Sequence, residues 1–328
     1  MEIFYPYTNE TNNKNVLRFE RKNIIFTSSI IKQYPTMKIM ILGANGFIGR
    51  RILKRLAPKH QVMACSLHPD ILPEEGYHFK TIDILDYDTL IGLLNDFHPD
   101  VIINGSAYSA VDYCEQNQEE AYAMNVTVVK HLAEYSQANS CRLIHLSTDF
   151  VFDGTSTRAY IETDSPNPVN YYGKTKRWSE ENIEQLCTNY AIVRVEVVYG
   201  KPFPKQHGNI VHLVKNKLEN GESIRVVSDQ FRSPTWVEDI ACAIEKLLSN
   251  QCQGIYHICG DETLSVADIA LRVAKFFQLD ASLIDSITTK EMNEATPRPT
   301  FTPMSVEKAK KDLGYQPSKL EEGFKEWI

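Results

Sequence analysis

The chain has 328 residues, 43% hydrophobic and 23% charged, with a formal net charge of -7. That length suits one large α/β core with a lesser lobe. An acidic balance without a long Lys/Arg block argues against nucleic acid as a partner and against electrostatic attachment to a membrane.

Residues 1–36 lack periodicity, are rich in Asn, Thr and Tyr, and end in Tyr34-Pro35-Thr36. The apolar run 24–31 is interrupted by Thr27, Ser28 and Ser29 and is too short and polar for a signal-peptide core. The segment reads as a poorly ordered extension ahead of a natural start at Met37. No stretch approaches the roughly 20 apolar residues of a membrane helix, and a cytoplasmic location is expected. The seven cysteines form no Cys-x-x-Cys. They read as small buried hydrophobes in a reducing compartment.

From Met37 to about Arg194, strands are expected at 37–42, 61–66, 78–82, 100–104, 142–147 and 190–195. Helices are expected between them at 46–57, 86–96, 119–139 and 171–187. Near-continuous apolar strands separated by helices mean a parallel sheet covered on both faces. Right-handed crossovers then give a doubly wound order. The fold class is therefore α/β, with a Rossmann-type NAD(P)-binding domain over 37–200. Beyond Gly200 the pattern loosens: a helix at 209–219, a strand at 224–227, a helix at 236–249, a strand at 254–259 and a helix at 265–277. A Thr/Pro-rich loop covers 286–304, and short helices follow near 305–313 and 319–328. Residues 201–328 are assigned mainly to a smaller substrate-binding lobe, with parts of 233–260 returning to the sheet.

Gly43-Ala44-Asn45-Gly46-Phe47-Ile48-Gly49 follows the first strand and opens the first helix. Glycines there allow a tight turn and close approach to a pyrophosphate, which the helix N-terminus attracts. The spacing is GxxGxxG rather than GxGxxG. The second strand ends at Ser66 without the acidic residue that would favour NADH through the ribose hydroxyl. Arg50 and Arg51 follow the third glycine and either reach a 2′-phosphate or stand solvated on the helix. NADPH is expected, with NADH as the alternative. Asp83, with its neighbour Ile84, ends the third strand beside the expected adenine. Asp86 suits the N-cap of the following helix better. Ser106 and Ala107 end the fourth strand and are small enough to let a cofactor lie close.

Tyr172 and Lys176 form a Tyr-x-x-x-Lys pair in a segment that reads as helix, with Asn170 as its N-cap. Positions i and i+4 share one helix face. A phenol titrating near 10 is a poor acid at neutral pH, and a nearby ammonium is expected to lower it. Tyr172 would then give its proton to a carbonyl oxygen as hydride arrives. Thr148, at the end of the fifth strand, can hydrogen-bond the same oxygen, with Ser147 as the alternative donor. His145, His207, His212 and His257 have no ligand-like spacing, so no metal is expected.

These three motifs in this order resemble the extended short-chain dehydrogenases/reductases, and in detail the dTDP-4-dehydrorhamnose reductase family. The residues that carry the resemblance include Gly43–Gly49, Ala107-Tyr108-Ser109-Ala110-Val111-Asp112 with Glu115, Asn125, and Ser147–Gly154. Tyr172–Lys176, Asp229-Gln230, Ser233-Pro234-Thr235 and Gly254–His257 complete the set. The resemblance implies a catalytic trio of Thr148, Tyr172 and Lys176, with Lys176 also on the nicotinamide ribose. It implies that Tyr108 lines the cofactor, and that Val111, Asp112, Asp149 and Phe150 meet a nucleotide-sugar.

Three departures alter the substrate side. Phe150 stands where the family has Tyr, Val197 where a Trp is frequent, and Arg232 where Gly is common. Arg232 suits a diphosphate or is a surface residue. The implied activity is reduction of a 4-keto sugar nucleotide. The competing readings are a cofactor-binding regulatory subunit similar to the beta subunit of methionine adenosyltransferase, and a sugar-nucleotide epimerase or dehydrogenase. A dehydratase would carry a second acid where Phe150 stands. A homodimer is compatible with the sequence.

Overall fold

A computed structural model of the chain describes residues 36–328. The extension expected over 1–36 lies outside the described residues except for Thr36.

In chain order the first part comprises β1 (Lys38–Leu42), α1 (Phe47–Leu56), β2 (Gln61–Ser66), β3 (Tyr77–Thr81), α2 (Tyr87–Phe97), β4 (Val101–Asn104), α3 (Val111–Gln116), α4 (Gln118–Tyr122), α5 (Val128–Ala138), β5 (Arg142–Thr148), α6 (Tyr171–Leu186), β6 (Tyr190–Val195) and β7 (Val198–Tyr199). Then follow α7 (Ile210–Glu219), β8 (Ile224–Val227), β9 (Phe231–Arg232), β10 (Thr235–Trp236), α8 (Val237–Asn250), β11 (Gly254–His257), β12 (Leu264–Ser265), α9 (Val266–Phe277), β13 (Ile284–Ile287), α10 (Thr289–Met292), α11 (Glu307–Leu313) and α12 (Leu320–Phe324).

Seven parallel strands make the main sheet, in the order β11-β6-β5-β4-β1-β2-β3. The order reverses between β1 and β4, as in a doubly wound sheet. Side chains of β1 alternate between its two faces. Ile39 and Ile41 join one apolar layer with Ile52, Val193 and Ile244, while Met40 and Leu42 join the other with Leu90, Leu94 and Val129. A third apolar cluster, including Val214, Val226, Ile269 and Phe324, holds the second lobe together. The described residues nonetheless form one compact unit. Of the seven cysteines, Cys242 and Cys252 are half-buried and the others buried.

Local signals set the helix ends. Asp86 caps α2 by accepting from Thr89 N at 3.2 Å, and Asn170 caps α6 by accepting from Gly173 N at 2.8 Å. Two segments differ from expectation. The single helix expected over 119–139 is split by a π-helical turn at Ala123–Thr127. That turn sets Asn125 against Tyr108, accepting from its N–H and donating to its carbonyl at 2.9 Å each. Asn125 also donates to Thr175 Oγ1 at 3.0 Å, tying α6 to the loop after β4. The stretch expected to be loop begins instead with β13, paired in parallel with β8, and with α10, which a Thr288/Glu291 capping box starts. No helix among the described residues is long and apolar enough to cross a membrane.

Candidate active site

The glycine loop lies at the switch point of the sheet. Gly43 has φ +79°, and its N–H, with that of Ala44, donates to Cys65 O at 3.0 and 2.9 Å. A Cβ on Gly43 would meet Gly105 C and Ser106 N at 2.9 Å, so the turns after β1 and β4 pack against each other. A Cβ on Gly49 would overlap the Gly43 carbonyl oxygen. Gly46 precedes α1 without any side-chain cap. The first-turn N–H groups of Phe47, Ile48 and Gly49 thus stay available to an anion. This cradle fits a dinucleotide pyrophosphate: the glycines clear the space and the helix supplies donors.

Around the loop several side chains serve the fold. Arg50 is completely buried; its guanidinium pairs with Asp70 and donates to Tyr77 OH at 3.0 Å. The helix phase turns it toward the loop joining β2 to β3, so neither reading of Arg50, phosphate ligand or solvated residue, survives. Asn45 donates through Nδ2 to His68 O and Pro69 O at 3.0 and 2.9 Å, so its side chain pins the chain after β2. Gln206, from the second lobe, donates to Asn45 O and Gly46 O at 3.0 Å each. Ser66 is half-buried at the end of β2, and Asp83 is exposed just beyond β3, accepting from Leu85 N at 2.9 Å. Ile84 is buried in an apolar layer, which leaves only its main chain for a ligand. Ser106 N donates to Asn104 Oδ1 at 3.1 Å, while Ala107 and Tyr108 are half-buried.

Of the two strand-end hydroxyls, Ser147 is committed elsewhere, donating to Glu180 Oε1 at 2.6 Å. Glu180 also accepts Arg194 Nε and Nη2 at 2.8 and 2.7 Å and Arg177 Nη1 at 3.3 Å. Burial alone would raise its pKa, but the Arg194 fork and the Ser147 hydroxyl outweigh it and the net shift is downward. Thr148 faces the site instead. Its hydroxyl donates to Asp149 Oδ1 at 3.0 Å and accepts from Phe150 N at 3.3 Å.

Tyr172 lies buried among Val111, Cys114 and Ala121, with the Phe150 ring edge-on at 5.8 Å. Lys176 is buried too. Its Nζ donates to Leu146 O at 2.7 Å and lies 3.0 Å from His145 Nε2. Burial lowers the lysine pKa to about 8. Burial also raises that of Tyr172. The expected lowering of the phenol by the ammonium is therefore not met in this arrangement, because Lys176 turns to the main chain of β5.

On the substrate side, Asp112 pairs with Arg298 at 3.2 Å. Val197, at φ +38°, packs on the second lobe's apolar cluster, and Thr235 N donates to its carbonyl at 3.1 Å. The surface reading of Arg232 fails: it is buried, donating to Phe231 O, Pro299 O and Gln230 Oε1 at 2.8, 2.6 and 3.1 Å. Its Nε stands 4.0 Å from Asp149 Oδ2. Three of its four other N–H groups are held by the protein, and the carboxylate beside it is that of Asp149. Two residues not foreseen lie against Asp149: Thr302 bridges Asp149 Oδ2 and Glu196 Oε1 at 2.7 Å each. The signal for Glu196 was an acid in the run 191–199, apolar apart from it and Arg194; Thr302 carried none. Among the described residues no group of three or more His, Cys, Asp or Glu could hold a metal.

The family model described as RmlD substrate binding domain matches residues 37–328. The chain is 30% identical over 301 residues to dTDP-4-dehydrorhamnose reductase of Aggregatibacter actinomycetemcomitans, covering 88% of this chain and 97% of that one. It is 32% identical over 289 residues to methionine adenosyltransferase 2 subunit beta of Xenopus laevis, covering 84% and 83%. A crystal structure of dTDP-4-dehydrorhamnose reductase from Bacillus anthracis in complex with NADP matches with TM-score 0.80 at 27% identity, covering 89% of this chain and 98% of that one.

Proposed function

This chain belongs to the RmlD substrate binding domain family, and from that premise we propose that it is an NAD(P)H-dependent reductase of a 4-keto sugar nucleotide. The first substrate to test is dTDP-4-dehydrorhamnose. The observation that carries the reading is Thr148 at the carboxyl end of β5, with Tyr172 buried on α6 edge-on to the Phe150 ring, on the same edge of the sheet as the glycine cradle.

The glycine loop and the start of α1 hold the pyrophosphate. A bound nicotinamide supplies the hydride. Thr148 donates a hydrogen bond to the substrate carbonyl oxygen, and Tyr172 gives that oxygen its proton. With a cofactor bound, Lys176 would hold its ribose hydroxyls, and an ammonium beside the phenol would lower the phenol pKa. NADPH is favoured over NADH because β2 ends without an acid at Ser66 and because the Bacillus anthracis relative was solved with NADP.

A second reading is a cofactor-binding regulatory subunit similar to methionine adenosyltransferase 2 subunit beta. It is favoured by the 32% identity and by the engagement of Lys176 with β5. Mixing the protein with NADPH and dTDP-4-dehydrorhamnose, and following the nicotinamide absorbance, separates the two. The expected result is turnover that Tyr172→Phe lowers by about 10²–10⁴-fold. Tight NADPH binding with no turnover in the wild type overturns the rhamnose assignment.

A further inference from the structure

The His145 ring is wholly buried among Asn104, Lys176 and Ser179, and these neighbours dictate which of its nitrogens carries hydrogen. Asn104 Oδ1 accepts from Ser106 N at 3.1 Å. That fixes the amide with Nδ2, a donor, 3.2 Å from His145 Nδ1. Nδ1 is therefore an acceptor, and a neutral imidazole then has its hydrogen on Nε2. Ser179 agrees. Its single hydrogen goes to Lys176 O at 2.6 Å, so its 3.2 Å contact with Nε2 is a hydrogen bond only when Nε2 donates.

Lys176 Nζ stands 3.0 Å from the same Nε2. An ammonium has donors only and would set hydrogen against hydrogen. A neutral amine has a lone pair to accept the Nε2 hydrogen, and one of its own hydrogens reaches Leu146 O at 2.7 Å. The groups around Nζ do not force a charge on it. Glu180, on the same helix, favours the ammonium, but its carboxylate is engaged by Arg194, Arg177 and Ser147. From α3, Cys114 has its thiol pushed up to about 11 by burial and is uncharged. Tyr172, one helical turn before the lysine, likewise stays a phenol through burial.

We propose that in the cofactor-free protein His145 holds Lys176 as a neutral amine, and that Lys176 takes up one proton from solvent when it leaves for the ribose hydroxyls of a bound nicotinamide nucleotide. The second step rests on the cofactor reading above. His145 keeps its Nε2 hydrogen throughout and gives it to Ser179 Oγ alone once Lys176 has gone, and no electrons move. His145 touches no reacting atom and is a positioning residue. Burial lowers the Lys176 pKa to about 8 in the free protein. The neutral form dominates above that pH, whereas below it the lysine is already charged and has nothing to take up. With the ordinary lysine pKa restored on binding, uptake should rise from about 0.1 proton at pH 7 to about 0.9 at pH 9.

Calorimetric titration with NADPH, in buffers of differing ionisation heat, reads this uptake without turnover. Tyr172→Phe serves as background, so that no phenol proton is counted. Asn104→Asp in that background is the decisive variant. A carboxylate facing Nδ1 accepts its hydrogen, Nε2 becomes the acceptor of an ammonium, and uptake at pH 9 should vanish. Nitrogen NMR spectra of the histidine-labelled free protein test the resting state directly. The His145 signal, identified by its loss in His145→Gln, should be that of a neutral ring with hydrogen on Nε2 at pH 9. This measurement decides the resting state if Asn104→Asp does not fold. Hydrogen on Nδ1, or an imidazolium, overturns the neutral amine. NADPH binding without uptake at pH 9, or uptake that Asn104→Asp leaves unchanged, overturns the coupling and leaves the cofactor site standing. A protein that binds no NADPH sinks the cofactor reading and the coupling together, and the NMR spectra still decide the resting amine.

Discussion

Replacing Arg194 by Met tests the ion network behind Thr148. Arg194 and Glu180 are essentially buried, and the arginine supplies two of the glutamate's hydrogen bonds. Removing one partner of such a pair costs about 3–5 kcal/mol, because the other charge stays buried. Ser147 and the half-buried Arg177 remain on Glu180, so the loss should fall near the lower end. For a chain of this size about 3 kcal/mol corresponds to a fall in Tm of roughly 4–5 °C. The pH dependence carries the sharper check. In the wild type the folded Glu180 pKa is lowered from 4.5. Its stabilisation is therefore present above that value and is lost as the pH falls through the folded pKa. Without Arg194, burial dominates and the folded pKa rises above 4.5, so the charged glutamate becomes a penalty at neutral pH that protonation removes. The gap between wild type and Arg194→Met in urea melts should thus close as the pH is lowered from about 7 toward 4. Adding Glu180→Gln to Arg194→Met should recover part of the loss. A loss below about 1 kcal/mol, or a gap unchanged with pH, would refute the assignment of Glu180 as a buried anion.

Two further outcomes are expected. Gly49→Ala should abolish NADPH binding, measured by calorimetric titration, because its Cβ overlaps the Gly43 carbonyl. Gly92→Ala, in α2 with nothing within 4 Å, should bind normally and gain about 0.5–1 kcal/mol; unimpaired binding by Gly49→Ala removes the cradle from the account. Lys176→Met should lose turnover yet melt higher at pH 7. The lysine pKa is lowered from 10.5 to about 8, a difference of about 3 kcal/mol that is present in full below the folded value and fades as the pH rises toward the unfolded one. About 1 kcal/mol returns through the lost bond to Leu146 O, and a lower Tm would show that the ammonium is not a burden on the fold.

Most strands of the main sheet were legible as short apolar runs, and the caps because Asp86 and Asn170 carry side chains that accept main-chain hydrogens. The glycine loop was legible for the same local reason. What escaped depended on direction or distance. Arg50 sits next to the third glycine, yet the phase of α1 sends it to Asp70. The Tyr172/Lys176 spacing places both on one helix face, but the phenol pKa depends on burial and on which acceptor Nζ finds. The π turn around Asn125 carries the same helical periodicity as an α-helix. Glu196 and Thr302 meet across a separation of 106 positions, for which no local pattern exists.

The outermost strand of the sheet has a bearing on how the chain is made. β11 pairs with β6, and β7, α7, β8, β9, β10 and α8 lie between them in sequence. On a ribosome moving at about 5–20 residues per second, β6 would emerge with one edge bare and stay so for several seconds until β11 followed. Such an edge is a template for pairing with another chain. A fragment ending near Gly200 would keep every glycine of the cofactor loop and still carry that open edge permanently. The cofactor half is therefore expected to aggregate when expressed alone, and nascent chains are exposed to chaperones and to each other until β11 is translated.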